Sequence, residues 1–210
     1  MNEKKFELLD RKILFGAIYY NKKNVNGTND ENNENNVNNE NNMSIIPIKD
    51  QVDMMVALYM QNKPNMYYIV LWPCVQSACD MLIRRLSCYG VPIYVKHLDL
   101  SYDNIKKFIC LLYYDHPNNI VCKIIEHKTK YLDKKKLHRI SFIIFNNFLN
   151  VDISGSCAPF KMKLRKYISE CASYKGNINN VLHINDTDKQ TECYSKYLLN
   201  DRLFENFCNC

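Results

Sequence analysis

The chain has 210 residues, 47% of them hydrophobic and 12% aromatic, with a formal net charge of +6. That length supports one domain, or one domain and an appendage, with a core that needs no disulfide staples. The charge is too small and too scattered for a dedicated nucleic-acid binder, although it leaves nucleic acid open as a partner.

The first 65 residues read as an N-terminal segment around a low-complexity insert. Phe6 to Tyr20 is apolar and fits a strand or a helix equally. Within residues 21–42, twelve of 22 positions are Asn. Such a stretch buries too little apolar surface to offset the entropy of ordering it, so a disordered loop is expected. Its composition resembles the asparagine-rich inserts of malaria-parasite proteins. Ile48, Val52, Met55, Val56 and Tyr59 then recur at helical spacing, ahead of Pro64.

Residues 66–207 read as one α/β domain. Met66 to Leu71 is a continuous apolar run, as expected for a strand buried on both faces. After Trp72-Pro73, a helix carries Val75, Ala78, Leu82, Ile83, Leu86 and Tyr89 on one stripe and stops at Gly90. Val91 to Leu98 is the second strand. Ser101 is a fitting N-cap for a helix bearing Ile105, Phe108, Ile109, Leu112 and Tyr113. The basic connection from Asp115 to Arg139 has room for a short strand at Ile120 to Ile125.

Ile140 to Phe145 is the third core strand, followed by a loop, Ser154-Gly155-Ser156-Cys157, and a helix with Pro159 near its first position. Val181 to Ile184 is the fourth strand. It turns at once into Thr187-Asp188-Lys189-Gln190, a capping box that opens the last helix. Strands alternating with helices of these lengths predict a mostly parallel sheet of four or five strands with flanking helices.

In a parallel sheet, ligands bind beyond the carboxyl ends of the strands. Those ends carry Asp99 and Ser101, then Ser154 and Ser156, then His183, Asn185, Asp186 and Thr187. Lys161 and Lys163 follow in the helix after Pro159 as phosphate contacts. His183 is a candidate acid or base, and Asp186 sits where a helix dipole favours its ionised form. Cys157, before a lysine-rich helix start, is a further conceivable nucleophile.

No cofactor is implied by any motif. Five glycines leave no room for a Walker loop or a dinucleotide-binding triplet. Cys208 and Cys210 lack a second pair at zinc-finger spacing, so no metal site is expected. The remaining cysteines fall mostly in helix patterns, where a thiol acts as a small hydrophobe. No secretory leader or bilayer-length apolar run is read, and cytoplasm, or the nucleus, is the expected compartment.

Leu71-Trp72-Pro73, Asp99-Leu100-Ser101, Lys163-Leu164-Arg165 and His183-Ile184-Asn185-Asp186-Thr187, followed by Leu198-Leu199-Asn200, form a series. It resembles a poorly characterised group of bacterial and protist proteins in which an α/β module precedes a nucleotidyltransferase-like domain. The likeness spans Met66 to Phe207. In that group His-Glu-Glu follows the threonine, where this chain has Asp188-Lys189-Gln190. The transferase part would need a Gly-Ser turn closely followed by an Asp-x-Asp pair for metal, and that closely spaced combination is not read here. The resemblance therefore implies a sugar-phosphate or nucleotide-related ligand without the transfer chemistry.

Three functions follow as expectations. The first is an accessory or ligand-binding domain for a phosphorylated small molecule or nucleotide. The second is a small transferase or hydrolase using His183 or Asp186 as base. The third is a subunit that binds a protein partner through its aromatic surplus.

Overall fold

A computed structural model of the chain describes residues 48–60, 63, 65–153 and 158–209. The apolar 6–20 stretch, the Asn-rich insert at 21–42, and Ser154, Ser156 and Cys157 lie outside the described residues. The chain divides into two compact units, 1–53 and 54–210, and, apart from residues 48–53 of the first helix, the fold below is that of the second.

Helix α1 (Ile48–Met60) leads to strand β1 (Met66–Leu71), a 3-10 turn at Pro73–Ala78 and helix α2 (Cys79–Leu86). Strand β2 (Val91–Leu100) is followed by two helices, α3 (Tyr102–Leu112) and α4 (Asn118–Thr129), before β3 (His138–Asn146). Helix α5 (Pro159–Cys171), a 3-10 turn at Ile178–Asn180, β4 (Leu182–Ile184), α6 (Asp188–Leu198) and α7 (Asp201–Asn209) complete it.

The sheet order is β2-β3-β1-β4 and every neighbouring pair is antiparallel. This overturns the mostly parallel sheet expected from the sequence. β1 and β2 do run in the same direction, joined by a helical crossover, but β3 returns between them. Strand order and directions are those of the split β–α–β, ferredoxin-like arrangement, with α3 and α4 standing between β2 and β3. The basic connection read as holding a strand at Ile120 to Ile125 is instead helix α4. Of its apolar residues only Val121 is buried.

The apolar runs misled for a physical reason. They report burial on both faces, which parallel sheets usually have, and this antiparallel sheet has it too. On one face Ile69, Leu71, Ile143, Phe145, Leu182 and Ile184 pack with Leu82, Leu86, Phe160, Leu164 and Ile168 from α2 and α5. On the other, Tyr68 meets Phe142 and Tyr194 of α6, and Phe108 of α3 lies between Trp72 and Phe204 of α7. Among the described residues no helix is long and apolar enough to cross a membrane.

Local chemistry sets the element ends much as the sequence predicts. The Ser101 hydroxyl accepts from the Asn104 amide at 3.3 Å and caps α3. Thr187 accepts from the Gln190 amide at 3.3 Å, while the Gln190 side chain reaches back to the Asp186 amide at 2.6 Å. Two backbone donors that would otherwise be orphaned at the start of α6 are thereby satisfied.

Candidate functional site

Antiparallel pairing separates the residues that a parallel sheet would gather. β1 pairs Leu71 with Leu182 and Ile69 with Ile184, so β4 ends where β1 begins. Asp99, near the carboxyl end of β2, and Ser101, just beyond it, therefore lie at the opposite end of the sheet from Asn185, Asp186 and Thr187. The common rim does not exist. Asp99 is taken up by Arg139, its cross-strand neighbour, through bonds of 2.9 and 2.8 Å. That guanidinium holds the Asp99 carboxyl below the usual carboxylate range. Asn185 is a structural residue: its side chain accepts from the Tyr68 amide at 2.6 Å and donates to Thr191 at 2.7 Å.

What the fold does gather lies along the free edge of β4. Val181 and Asn185 bond inward to β1, through Trp72 and Tyr68. By the alternation of a strand, Leu182 and Ile184 point their carbonyls outward. Lys161 and Arg165, four residues apart on one face of α5, meet them. The Lys161 ammonium donates to the Ile184 carbonyl at 3.0 Å and to the Asp186 carboxylate. Arg165 donates from Nε to the Leu182 carbonyl at 3.4 Å. Both side chains are buried, Lys161 to 1% exposure. Lys163, between them in sequence, projects to the exposed side of α5 and does not join them.

A third cation arrives from the other helical layer. Lys128, near the end of α4, donates to the Asn179 carbonyl at 3.3 Å, while Arg165 Nη1 donates to the Asn179 side-chain oxygen at 3.3 Å. The Lys128 ammonium lies 4.3 Å from the centre of the Trp72 ring. Among the described residues no carboxylate pairs with it. Burial, and then the Arg165 charge, push its amine down to about 7 from 10.5. Burial also lowers Lys161, against the opposing pull of Asp186. The indole Nε1 of Trp72 is buried and has no hydrogen-bond partner among the described residues.

His183 sits just inside this edge, on the face toward α3 and α6. Tyr194 donates its hydroxyl proton to the Leu112 carbonyl at 2.5 Å, so its oxygen accepts from His183 Nε2 at 3.2 Å. Nε2 must then carry the hydrogen, and Nδ1 accepts from the Tyr113 hydroxyl at 3.1 Å. Burial first, then Lys128, Lys161 and Arg165, push the imidazole well below its ordinary value. His183 is thus a neutral histidine with both nitrogens engaged. A general base needs a free lone pair, and here Tyr113 occupies it. Burial likewise raises both tyrosines well above the usual phenol range.

Asp115 adds the outer wall. It accepts from Gln190 at 2.9 Å and bonds His116, at 2.9 Å, whose ring packs edge-on against Tyr113. Among the described residues no group of three or more His, Cys, Asp or Glu could hold a metal ion. The structure places Lys161, His183 and Asp186, which the sequence also singles out, near Lys128, Arg165 and Tyr113, which it does not single out as site residues. The i, i+4 spacing of Lys161 and Arg165 was a usable signal. Lys128 was hidden by reading α4 as a strand within a loop.

No protein-family model matches the chain, and no curated protein matches it.

Proposed function

We propose that this unit binds a phosphorylated small molecule or nucleotide at the free edge of β4, with Lys128 and Arg165 contacting the phosphate. One observation carries the reading: Lys128 is brought beside Arg165, away from bulk water, with no carboxylate partner among the described residues. Concentrating like charge in a partly desolvated place is costly unless an anion compensates it. Lys161 is held by Asp186 and widens the positive field without requiring direct contact. Tyr113, half-buried between Arg165 and His183, supplies a hydroxyl at the same edge. The resemblance to modules that precede nucleotidyltransferase-like domains points to the same ligand class.

Thermal unfolding with inorganic phosphate, nucleotides and sugar phosphates tests this. At a hundred times its dissociation constant a ligand adds about 2.7 kcal/mol, or roughly 5–10 °C for a domain of this size. Lys128→Met and Arg165→Met should each abolish most of the rise. A rise that survives both substitutions would place the anion elsewhere.

A further inference from the structure

We propose that Lys128 is a carbonyl-reactive amine, forming an imine with an aldehyde or ketone whose phosphate or carboxylate is held by Arg165. The proposal rests on the anion site described above and names the class of molecule that would use it. Its geometric basis is the shared grip on Asn179, whose backbone oxygen takes Lys128 while its side-chain oxygen takes Arg165. A molecule with its anionic group on the guanidinium therefore has its next atoms near the amine. Lys128 bonds the Asn179 carbonyl and leans on the Trp72 face, and among the described residues no carboxylate pairs with its nitrogen. The side chain is half-buried and not sealed from solvent. The Trp72 indole N–H, without a partner among the described residues, lies in the same ring that Lys128 covers.

A lysine becomes a nucleophile when burial and a neighbouring cation favour its neutral form, and both act here. The amine lone pair attacks the carbonyl carbon, and the carbonyl oxygen takes up a proton to give a carbinolamine. Loss of the nitrogen proton and of that oxygen as water leaves the carbon–nitrogen double bond. The step consumes no oxidant or reductant. Lys161 offers no such chemistry, because Ile184 and Asp186 hold its ammonium.

The test uses the full chain with pyridoxal 5′-phosphate or unphosphorylated pyridoxal near pH 7. Borohydride reduction then fixes any imine, and peptide mass spectrometry locates it. Lys128 should be labelled ahead of the exposed Lys134, Lys135 and Lys163, at least tenfold faster by the phosphorylated aldehyde. Inorganic phosphate should protect it, and Arg165→Gln should erase the preference for the phosphorylated reagent. The wild-type comparison of the two aldehydes needs no variant to fold. Labelling of Lys128 no faster than of the exposed lysines overturns the inference. If phosphate still raises the melting temperature in that case, the anion site stands. Equal labelling by both aldehydes, with no protection by phosphate, overturns the inference and the anion site together.

Discussion

Replacing Asp186 by Ala should move stability and anion binding in opposite directions. Lys161 is 1% exposed and its ammonium has two acceptors, the Ile184 carbonyl and the Asp186 carboxylate. Removing one partner of a buried pair costs about 3–5 kcal/mol, because the remaining charge stays desolvated. The Asp186 side chain is 30% exposed, so water reaches this pair from one side. About 2–3 kcal/mol is the corresponding expectation. The capping arrangement survives, since Gln190 bonds the backbone amide of Asp186 and not its carboxylate. Lys161→Met should cost less, about 1–2 kcal/mol, for leaving the Ile184 carbonyl unpaired. Once Lys161 is gone, removing Asp186 should cost little more, so the double variant falls well short of the sum.

The same carboxylate opposes an anion at the β4 edge. Two like charges about 8 Å apart repel by about 2 kcal/mol at an effective dielectric constant of about 20, and that general figure sets the scale here. Asp186→Ala should therefore bind phosphate roughly 10- to 30-fold more tightly while unfolding at lower urea. Isothermal titration measures the binding and equilibrium denaturation the stability. Weaker phosphate binding in Asp186→Ala would refute the assignment of Asp186 as a counter-charge and make it a ligand contact. A stability loss under about 0.5 kcal/mol would show that Lys161 does not depend on it.

Two further outcomes follow from the histidine chain. Tyr194→Phe removes the one hydroxyl that serves both His183 Nε2 and the Leu112 carbonyl, and should cost about 2–4 kcal/mol in urea unfolding. Tyr113→Phe, at a half-buried position where water can substitute, should cost less than half as much. The fold should also weaken as pH falls from 6.5 toward 5. A group whose folded value is depressed stays neutral in the fold while the unfolded chain takes up a proton. His183 has this sign, and so does His97, lowered by burial and then by Arg139. His183 contributes a slope approaching about 1.4 kcal/mol per pH unit in that window, His97 adds to it with the same sign, and His183→Gln should remove the larger part. Lys128 has the same sign higher up, its penalty easing as pH rises from about 7 toward 10.5.

Local features proved readable where one residue's chemistry decides them. Ser101, Pro159 and the Thr187–Gln190 pair mark helix starts because orphaned amides need an acceptor or a residue that lacks the amide. The strands were readable as buried runs. Strand direction was not, since an apolar run looks the same whether its neighbours run with it or against it. The misplaced rim followed from that single ambiguity: reversing β3 and β4 sends Asp186 to one end of the sheet and leaves Asp99 at the other. Helix α4 failed differently. Ile120, Val121, Ile124 and Ile125 cluster as a strand would, yet only Val121 is buried, so periodicity carried little information about the fold there.

The three cations at the β4 edge do not all ask for the same explanation. An edge strand with free carbonyls invites pairing with another chain, and charged side chains are a common guard. Lys161 and Arg165 bond Ile184 and Leu182 and thereby close that edge, so their burial has a structural cause even without a ligand. Lys128 closes nothing. Among the described residues its one hydrogen bond goes to a 3-10 turn outside the sheet, and a neutral side chain on Trp72 would serve packing equally well without the desolvation cost. A charge placed where the fold gains little from it is the strongest sign that something outside the chain completes the site. The difference separates the two kinds of lysine experimentally. Loss of Lys161 should be read in stability, and loss of Lys128 in what the protein binds.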